Sequence, residues 1–375
     1  MRLLHLHSSF NPGGKELRCA KLIGAFGPGV EHAIVSGVPG ALGAAAAIDP
    51  GMRVTYPEHF PTLTGRPSWG RLRQIAEAMR GFDLVLTYNW GAMDAVMAHR
   101  LFAQKLKLPP LVHHEDGFNH DETDGLNRSR NWFRQLALPT VAALVVPSQM
   151  LERIALETWR QPAARVRRIA NGIKLDDFAK APRADALPGL VKQPGELWIG
   201  TLAGLRAVKN LPRLVEACAP LQAPWKLVII GEGPERPAIE AQVARFGMLG
   251  RVHLPGHAAD PAQGMGLLDL FALSSDSEQF PISVVEAMAS GLAVAAKDVG
   301  DIHEMVSEPN RPFVGNIRDA ADLRAAIAIL ANNAELRQHV GIANRVKAQA
   351  EYGEDAMVAS YRATYAGAMG GETFG

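Results

Sequence analysis

The sequence predicts an α/β protein made of two doubly wound domains. Three observations predict this class. Short apolar runs alternate with helical patterns along the first half of the chain, the second half restarts with the same order of strand, loop and helix, and polar residues follow directly after several apolar runs. This alternation is typical of a parallel sheet that is covered by helices on both faces and that binds ligands at the carboxyl ends of its strands.

Length and composition fit this class. The chain has 375 residues, of which 47% are hydrophobic, so it is long enough to form two cores. Its 39 Lys and Arg residues nearly balance its 38 Asp and Glu residues, and this neutrality argues against a nucleic-acid partner. Cys19 and Cys218 are isolated in the sequence, which favours buried thiols in a reducing compartment over a disulfide or zinc framework. Because the start is polar and no run of ~18 apolar residues occurs, we expect a cytoplasmic protein.

The first half opens with a predicted strand over residues 2–8 and a loop at Gly13 and Gly14 that begins a helix. His5 and His7 share one face of that strand, but no other residue joins them at a metal-ligand spacing, so we expect no metal site there. Strand and helix patterns then alternate over residues 33–36, 71–79, 84–87, 92–106, 111–113 and 141–146.

A polar cluster at residues 113–117, with the sequence HHEDG, lies where such a sheet presents its site. It predicts either a substrate site or a hydrogen-bonded surface loop. The following segment 127–134 mixes arginines with aromatic residues, which is typical of a surface that meets anionic lipid or an anionic acceptor. The alternative, which we favour, is an amphipathic helix with Trp132, Phe133 and Leu136 in the core and its arginines in solvent.

Stretches that contain several prolines and glycines predict the domain boundaries. We expect a first domain over residues 1–178, a linker over 179–195 and a second domain over 196–351. The helical pattern over 352–368 is expected to pack back on the first domain. The second domain begins with a strand over 197–201 and a loop that contains Arg206 and Lys209.

A helix is predicted from Pro281 to Ser290, because proline suits a first helical position and Gly291 suits the left-handed position after a helix. Glu278 precedes this helix and Glu286 lies within it. The unpaired N–H groups of the first turn, at Ile282 and Ser283, favour a phosphate at this end. Two carboxylates that flank a phosphate site are suited to binding sugar hydroxyls.

The element from Glu278 to Glu286, together with the segments KLVIIGEGPERPAIE, RVHLPGH and EAMASGLAV, resembles the retaining glycosyltransferases of family 4, also called glycosyl transferases group 1. The resemblance covers most of the chain and is strongest over residues 197–306. It implies a GT-B fold, in which two Rossmann-like domains face each other across a cleft.

The resemblance also implies residue roles. Glu278 would hold hydroxyls of the donor sugar, Glu286 the ribose diol, and His113 the transferred sugar. Lys209 and Arg206 would stabilise the leaving diphosphate, as its growing negative charge requires. Further contacts to the nucleotide sugar are expected from Gly14, Phe280, Ile282, Ser283 and His257.

The implied activity is transfer of a hexose-type sugar from a UDP- or GDP-linked donor to a hydroxyl of a glycan or lipid-linked acceptor, with retention, in cell-surface glycan or glycolipid synthesis. The resemblance also leads us to expect peripheral contact with the inner face of the cell membrane. No cofactor or metal is expected, because the sequence contains no Asp-x-Asp pair for a metal diphosphate.

Four residues depart from the family pattern: His114, Gly204, Gln279 and Asp301. Because of the last three, an alternative function is that of a nucleotide-sugar-binding scaffold with weakened catalysis. Another GT-B enzyme, such as an epimerase or a phosphorylase, is a further alternative.

Overall fold

The computed structural model of the protein describes residues 1–118, 126–222, 224–371 and 373–374. The chain divides into two compact units. The first comprises residues 1–171 and 355–375, and the second comprises residues 172–354.

The first unit contains, within its described residues, a seven-stranded sheet in the order β3-β2-β1-β4-β5-β6-β7. Every neighbouring pair is parallel. The strands are β1 (Arg2–His7), β2 (Glu31–Ser36), β3 (Arg53–Thr55), β4 (Leu84–Tyr88), β5 (Leu111–His114), β6 (Ala143–Val146) and β7 (Val166–Arg168). The chain order reverses at β1, which lies between β2 and β4, so the sheet is doubly wound.

Helices cover both faces of this sheet. They are α1 (Gly14–Phe26), α2 (Trp69–Met79), α3 (Met93–Leu106), α4 (Arg128–Ala137) and α5 (Gln149–Arg153). α2 and α3 pack buried apolar residues such as Ile75 and Val96 against one face, and α1 packs Cys19 and Ile23 against the other. Side-chain caps fix where two of the helices begin, since Ser68 accepts from Arg71 N and Asn127 from Ser129 N and Arg130 N.

The second unit contains, among the residues described, a six-stranded sheet in the order β10-β9-β8-β11-β12-β13, again with every pair parallel. Its strands are β8 (Leu197–Leu202), β9 (Trp225–Ile230), β10 (Val252–Gly256), β11 (Leu270–Leu273), β12 (Ala293–Lys297) and β13 (Val314–Gly315). Its helices are α6 (Leu175–Phe178), α7 (Leu211–Cys218), α8 (Arg236–Arg245), α9 (Pro261–Gly266), α10 (Ile282–Ala289), α11 (Ile302–Met305), α12 (Ala320–Asn332) and α13 (Ala334–Glu351). The predicted α/β class and the two doubly wound domains are confirmed.

The units divide at Asn171 and Gly172, ahead of the segment 179–195 that was predicted as the linker. That segment packs on the second unit: Leu187 is buried, and Lys192 Nζ bonds to Asp269 Oδ2 and Leu267 O, both at 2.7 Å. Proline and glycine in this segment therefore mark irregular, largely exposed backbone that Leu187 and Lys192 attach to the second unit.

The last helix, α14 (Glu354–Ala368), returns the chain to the first unit, to which residues 355–375 belong. Met357, Tyr361 and Tyr365 enter the same apolar cluster as α1. Phe374 packs edge-on against Phe26 at a centroid distance of 4.7 Å. No helix among the described residues is long and apolar enough to cross a bilayer.

The favoured prediction for the helix now called α4 is confirmed for its amphipathic pattern and for Phe133, which packs against the core, but it is wrong for Trp132, Leu136 and Arg134. Trp132 is 62% exposed and Leu136 38% exposed, whereas Arg134 is fully buried. The buried face contains Asn131, Arg134 and Ala137, which recur at helical spacing. An arginine is stable on that face because a buried carboxylate, Glu115, lies beside it.

Candidate functional site

Two loops meet at the switch point of the second sheet. In this sheet β8 lies between two strands: β9, which follows it in the chain, and β11, which comes later in the chain. The loops after β8 and β11 therefore leave the same sheet edge side by side, where doubly wound folds bind ligands. Lys209 lies in the first loop and Glu278 in the second, and Lys209 Nζ is 2.5 Å from Glu278 Oε1. Both side chains are largely buried, at 14% and 10% exposed.

Hydrogen bonds hold the Glu278 carboxylate and the Lys209 backbone in place. Ser275 Oγ donates to Glu278 Oε1 at 2.7 Å, and Ser274 Oγ donates to the Lys209 carbonyl at 2.9 Å. Asn210, in the left-handed region at φ 44°, ends the turn after Lys209. Its side chain donates to Asp276 Oδ2 at 2.9 Å, which fastens the loop after β8 to the loop after β11.

Two glycines let backbone segments approach the site closely. At Gly231, after β9, a Cβ atom would lie 2.0 Å from the Ala203 carbonyl, so a side chain there would push the loop after β8 away. At Gly300, with φ +63°, a Cβ atom would lie 2.6 Å from the Glu278 carbonyl and 2.7 Å from the Gln279 carbonyl. The position of the Glu278 loop thus requires glycine at 300.

Gln279 has a buried amide oxygen, Oε1, with no hydrogen-bond partner among the described residues. Its backbone carbonyl accepts from Asp301 N at 3.2 Å. Leaving a buried polar atom unsatisfied costs about 1–3 kcal/mol. An unsatisfied acceptor next to Glu278 is therefore suited to a ligand hydroxyl.

The helix α10 begins one residue later than predicted. Pro281 lies just before it with ψ 110°, and the helix starts at Ile282. The first-turn N–H groups of Ile282 and Ser283 have no preceding helical carbonyl to bind, as expected for a phosphate site. Glu286 lies half-buried in the middle of the helix, and Gly291 has the left-handed φ of +76° that the sequence predicts.

The other expected donor contacts are less tightly fixed. Phe280 packs edge-on against Tyr352 with a centroid distance of 5.7 Å. Arg206 and His257 are exposed, and neither side chain forms a hydrogen bond or ion pair within the described parts of the chain. His257 directly follows β10, and Arg206 lies three residues before Lys209. The structure thus brings Lys209 and Glu278 together and leaves Arg206 and His257 at the surface.

In the first unit, His113 belongs to a buried polar network at the end of β5. Its Nδ1 shares a 2.8 Å hydrogen bond with Thr87 Oγ1 on the neighbouring strand β4. Its Nε2 lies 3.6 Å from Glu115 Oε2 and has no hydrogen-bond partner among the residues described. The side chains of His113 and Glu115 are both 0% exposed, so the alternative of a hydrogen-bonded surface loop is wrong for these two residues.

Arg134 neutralises Glu115 in this network. Arg134 Nε donates to Glu115 Oε2 at 2.9 Å, and its guanidinium lies over the rings of Trp90 and Trp159 at 5.1 and 4.9 Å. Burial opposes ionisation of Glu115, but the charge of Arg134 and the contact with His113 outweigh it, and the pKa of Glu115 is lowered. Glu115 therefore stays ionised beside His113.

His114 points away from His113, as neighbouring strand residues do. Its Nδ1–H donates to the Thr87 carbonyl at 3.1 Å, so its Nε2 accepts from the Tyr365 hydroxyl at 2.9 Å. Burial lowers the pKa of His114 to about 3. His114, which departs from the family pattern, thus joins β5 to α14.

A second buried ion pair, missed in the sequence, fixes the loop after β5. Arg18 on α1 forms a two-pronged contact with Asp116, at 2.5 and 2.8 Å, and donates to Asn171 Oδ1 at 2.7 Å. The three residues are far apart in the chain, so no local pattern signals this network. Gly14, the expected contact in the first loop, is exposed as the first residue of α1.

Two protein-family models match the chain. The model described as Glycosyltransferase Family 4 matches residues 27–177, and the model described as Glycosyl transferases group 1 matches residues 186–347. Together they span most of both units.

Two curated relatives come from Mycobacterium tuberculosis (strain CDC 1551 / Oshkosh). A GDP-mannose-dependent alpha-mannosyltransferase is 25% identical over 67% of this chain and 65% of its own length. A phosphatidyl-myo-inositol mannosyltransferase is 30% identical over 54% of each chain. The matches thus span less than two thirds of either relative's length.

Among solved structures, Anabaena HepE in complex with UDP superposes with a TM-score of 0.77 over 96% of this chain and 98% of that chain. The two sequences are 18% identical, so this likeness shows the fold.

Proposed function

Since the chain belongs to the GT-B glycosyltransferases of family 4 and group 1, we propose that it transfers a hexose-type sugar from a nucleoside diphosphate sugar to an acceptor hydroxyl. The observation that carries this proposal is the pairing of Lys209 with Glu278 at the switch point, directly before the free N–H groups of α10. A cation and a helix start suit a diphosphate, and a carboxylate suits sugar hydroxyls.

The ion pair supplies a binding mechanism. Without a donor substrate, Lys209 and Glu278 neutralise each other. A bound diphosphate gives Lys209 a stronger anionic partner, which releases Glu278 Oε1 to accept hydrogen bonds from the sugar. Glu278 then exchanges its cation for neutral sugar hydroxyls, and its carboxylate keeps hydrogen bonds from the sugar and from Ser275 Oγ. Glu286, further along α10, binds the ribose diol.

Gln279 adds an acceptor that the family pattern lacks. Its buried Oε1 would receive a hydrogen bond from a second sugar hydroxyl, which removes the cost of leaving that atom unsatisfied. Under this proposal Gln279 selects the donor sugar. A catalytically weakened scaffold would instead bind the donor without turnover.

The proposed reaction retains the anomeric configuration. The bond from the anomeric carbon to the leaving phosphate breaks, the acceptor oxygen bonds to that carbon on the same face, and the acceptor proton passes to the leaving phosphate. Lys209 and the first turn of α10 stabilise the diphosphate as its charge grows. Arg206, which is exposed close by in the chain, adds a second cation. His113 is proposed to help orient the transferred sugar from beneath the surface of the first unit, because its side chain is fully buried and bonds to Thr87 Oγ1.

Donor binding tests this proposal. A panel of UDP- and GDP-linked hexoses is titrated calorimetrically into the wild type, Glu286→Ala, Lys209→Ala and Lys192→Ala. Lys192 is the matched control, because it forms a 2.7 Å ion pair with Asp269 before β11, at the amino edge of the same sheet. We expect one sugar nucleotide to bind the wild type and Lys192→Ala alike, and both other variants to bind it about tenfold or more weakly. If no sugar nucleotide binds, or if Lys192→Ala loses binding as Lys209→Ala does, the proposed site is wrong.

A further inference from the structure

A cluster of metal-ligand side chains lies inside the first unit, apart from the network around His113. His5 and His7 lie on β1 and Cys19 on α1, and the three side chains are 1%, 0% and 1% exposed. One ligand atom from each lies within 4.8 Å of the other two. The two histidines alone did not predict a metal site, because the third residue lies on the next element of the chain.

The distance between the histidine at position 5 and the cysteine fits a metal site. His5 Nδ1 is 3.4 Å from Cys19 Sγ. In a tetrahedral zinc site, with Zn–N of about 2.0–2.1 Å and Zn–S of about 2.3 Å, the nitrogen and sulfur lie about 3.5 Å apart. The Tyr88 hydroxyl is 3.2 Å from the same nitrogen and 3.8 Å from the sulfur, so an oxygen lies beside both ligand atoms.

A hydrogen bond through its other ring nitrogen orients His5. His5 Nε2 shares a 2.9 Å hydrogen bond with His32 Nδ1 on β2. When His5 Nε2–H is the donor, Nδ1 presents its lone pair toward Cys19. Metal-binding histidines are commonly held in this way through their other ring nitrogen.

The state of the His7 side chain is a second, independent observation that points to a bound metal ion. Both of its ring nitrogens are buried and have no hydrogen-bond partner among the described residues. The ring is held by stacking on Tyr88, at a centroid distance of 4.0 Å and an interplanar angle of 8°, and by an edge contact with Phe10 at 4.9 Å. A buried polar group without a partner costs about 1–3 kcal/mol, which coordination of a metal ion would remove.

We propose that His5, His7 and Cys19 bind one divalent transition-metal ion of the zinc type, with the Tyr88 hydroxyl or water at the fourth position. Sulfur with imidazole ligands favours zinc over magnesium or calcium. On binding, the Cys19 S–H bond breaks, the thiolate bonds to the metal, and the proton leaves to solvent. The ion fastens α1 to β1 and so fixes the loop at Gly13 and Gly14. This structural role is independent of the proposed sugar transfer.

Cobalt substitution tests the site. Full-length protein is stripped with chelator and titrated with Co²⁺, and the thiolate-to-cobalt charge-transfer band is followed by absorption. Cys218→Ser is the matched control, because Cys218 is equally buried and burial raises the pKa of both thiols to about 12. We expect the band at one equivalent in the wild type and in Cys218→Ser, and Zn²⁺ should displace it.

The variants Cys19→Ser and His7→Phe separate this site from others. Cys19→Ser should abolish the band, and His7→Phe should weaken Zn²⁺ binding about tenfold or more, since loss of even an outer contact costs that much. A wild type without the band, or a band that persists in Cys19→Ser, would overturn the proposal. If a variant fails to fold, the wild type and Cys218→Ser alone decide the question.

Discussion

Replacing Arg134 by methionine tests the buried network around His113. Arg134 and Glu115 are both fully buried and joined by a 2.9 Å hydrogen bond. Methionine keeps the length of the side chain and its packing among the aromatic rings, but it removes the charge. The carboxylate of Glu115 then lies buried without its cation, which costs about 3–5 kcal/mol of unfolding free energy. For a unit of about 150–250 residues, this lowers the melting temperature by roughly 6–20 °C.

The loss should depend on pH in a defined direction. In the wild type the folded-state pKa of Glu115 is lowered, so the network contributes its stability above the unfolded pKa near 4.5 and loses it as the pH falls through the folded value. In Arg134→Met, burial acts without the arginine, so the folded-state pKa of Glu115 is raised. The variant should therefore be most destabilised at pH 7 and less so at pH 5.

Urea unfolding followed by tryptophan fluorescence measures this loss, because Trp90 and Trp159 surround Arg134. The double variant Glu115→Gln/Arg134→Met is the control, since it leaves no buried charge and should regain part of the stability. The reasoning is refuted if Arg134→Met loses less than about 1 kcal/mol, or if the double variant is no more stable than Arg134→Met.

Three further predictions concern single residues. Gly300→Ala should lower donor affinity by displacing the Glu278 loop. The control Gly250→Ala, with φ +82° and open space at Cβ, should only lower stability by about 1–2 kcal/mol. Calorimetric titration measures donor affinity and urea unfolding measures stability, and equal donor affinity in both variants contradicts the prediction for Gly300. Gln279→Gly should broaden the range of donor sugars bound, and an unchanged range would exclude it as the selecting residue. Because the pKa of His114 is lowered to about 3, its stability contribution is full above the unfolded pKa near 6.5 and is lost as the pH falls. His114→Gln should thus flatten unfolding free energy against pH by about 1.4 kcal/mol per pH unit between pH 4 and 6, and an unchanged slope would contradict this.

Local signals predicted the elements of the donor half of the site. Proline and glycine are strong punctuators, so the sequence locates α10 to within one residue at its start and locates the left-handed Gly291. The alternation of strands and helices likewise predicted both parallel sheets. The pairing of Lys209 with Glu278 was not predictable, because it depends on β8 and β11 becoming neighbours at the switch point.

Burial of polar groups was the least predictable feature. An arginine amid aromatic residues on a helix is usually solvated, and Arg134 is buried only because Glu115, on another element, neutralises it. The cluster of His5, His7 and Cys19 is similar, since strand spacing places the histidines together while the packing of α1 supplies the cysteine. Such contacts between elements leave no periodic trace in one sequence.

Donor turnover tests the central claim most directly. Release of UDP or GDP from the sugar nucleotide that binds is measured with a panel of glycan and lipid-linked acceptors for the wild type, Lys209→Ala and Lys192→Ala. We expect acceptor-dependent release by the wild type and Lys192→Ala, and a kcat about 10²–10³ lower for Lys209→Ala, because the leaving diphosphate loses a charge partner. Equal kcat for Lys209→Ala and the wild type would contradict the claim that sugar transfer takes place at this switch point.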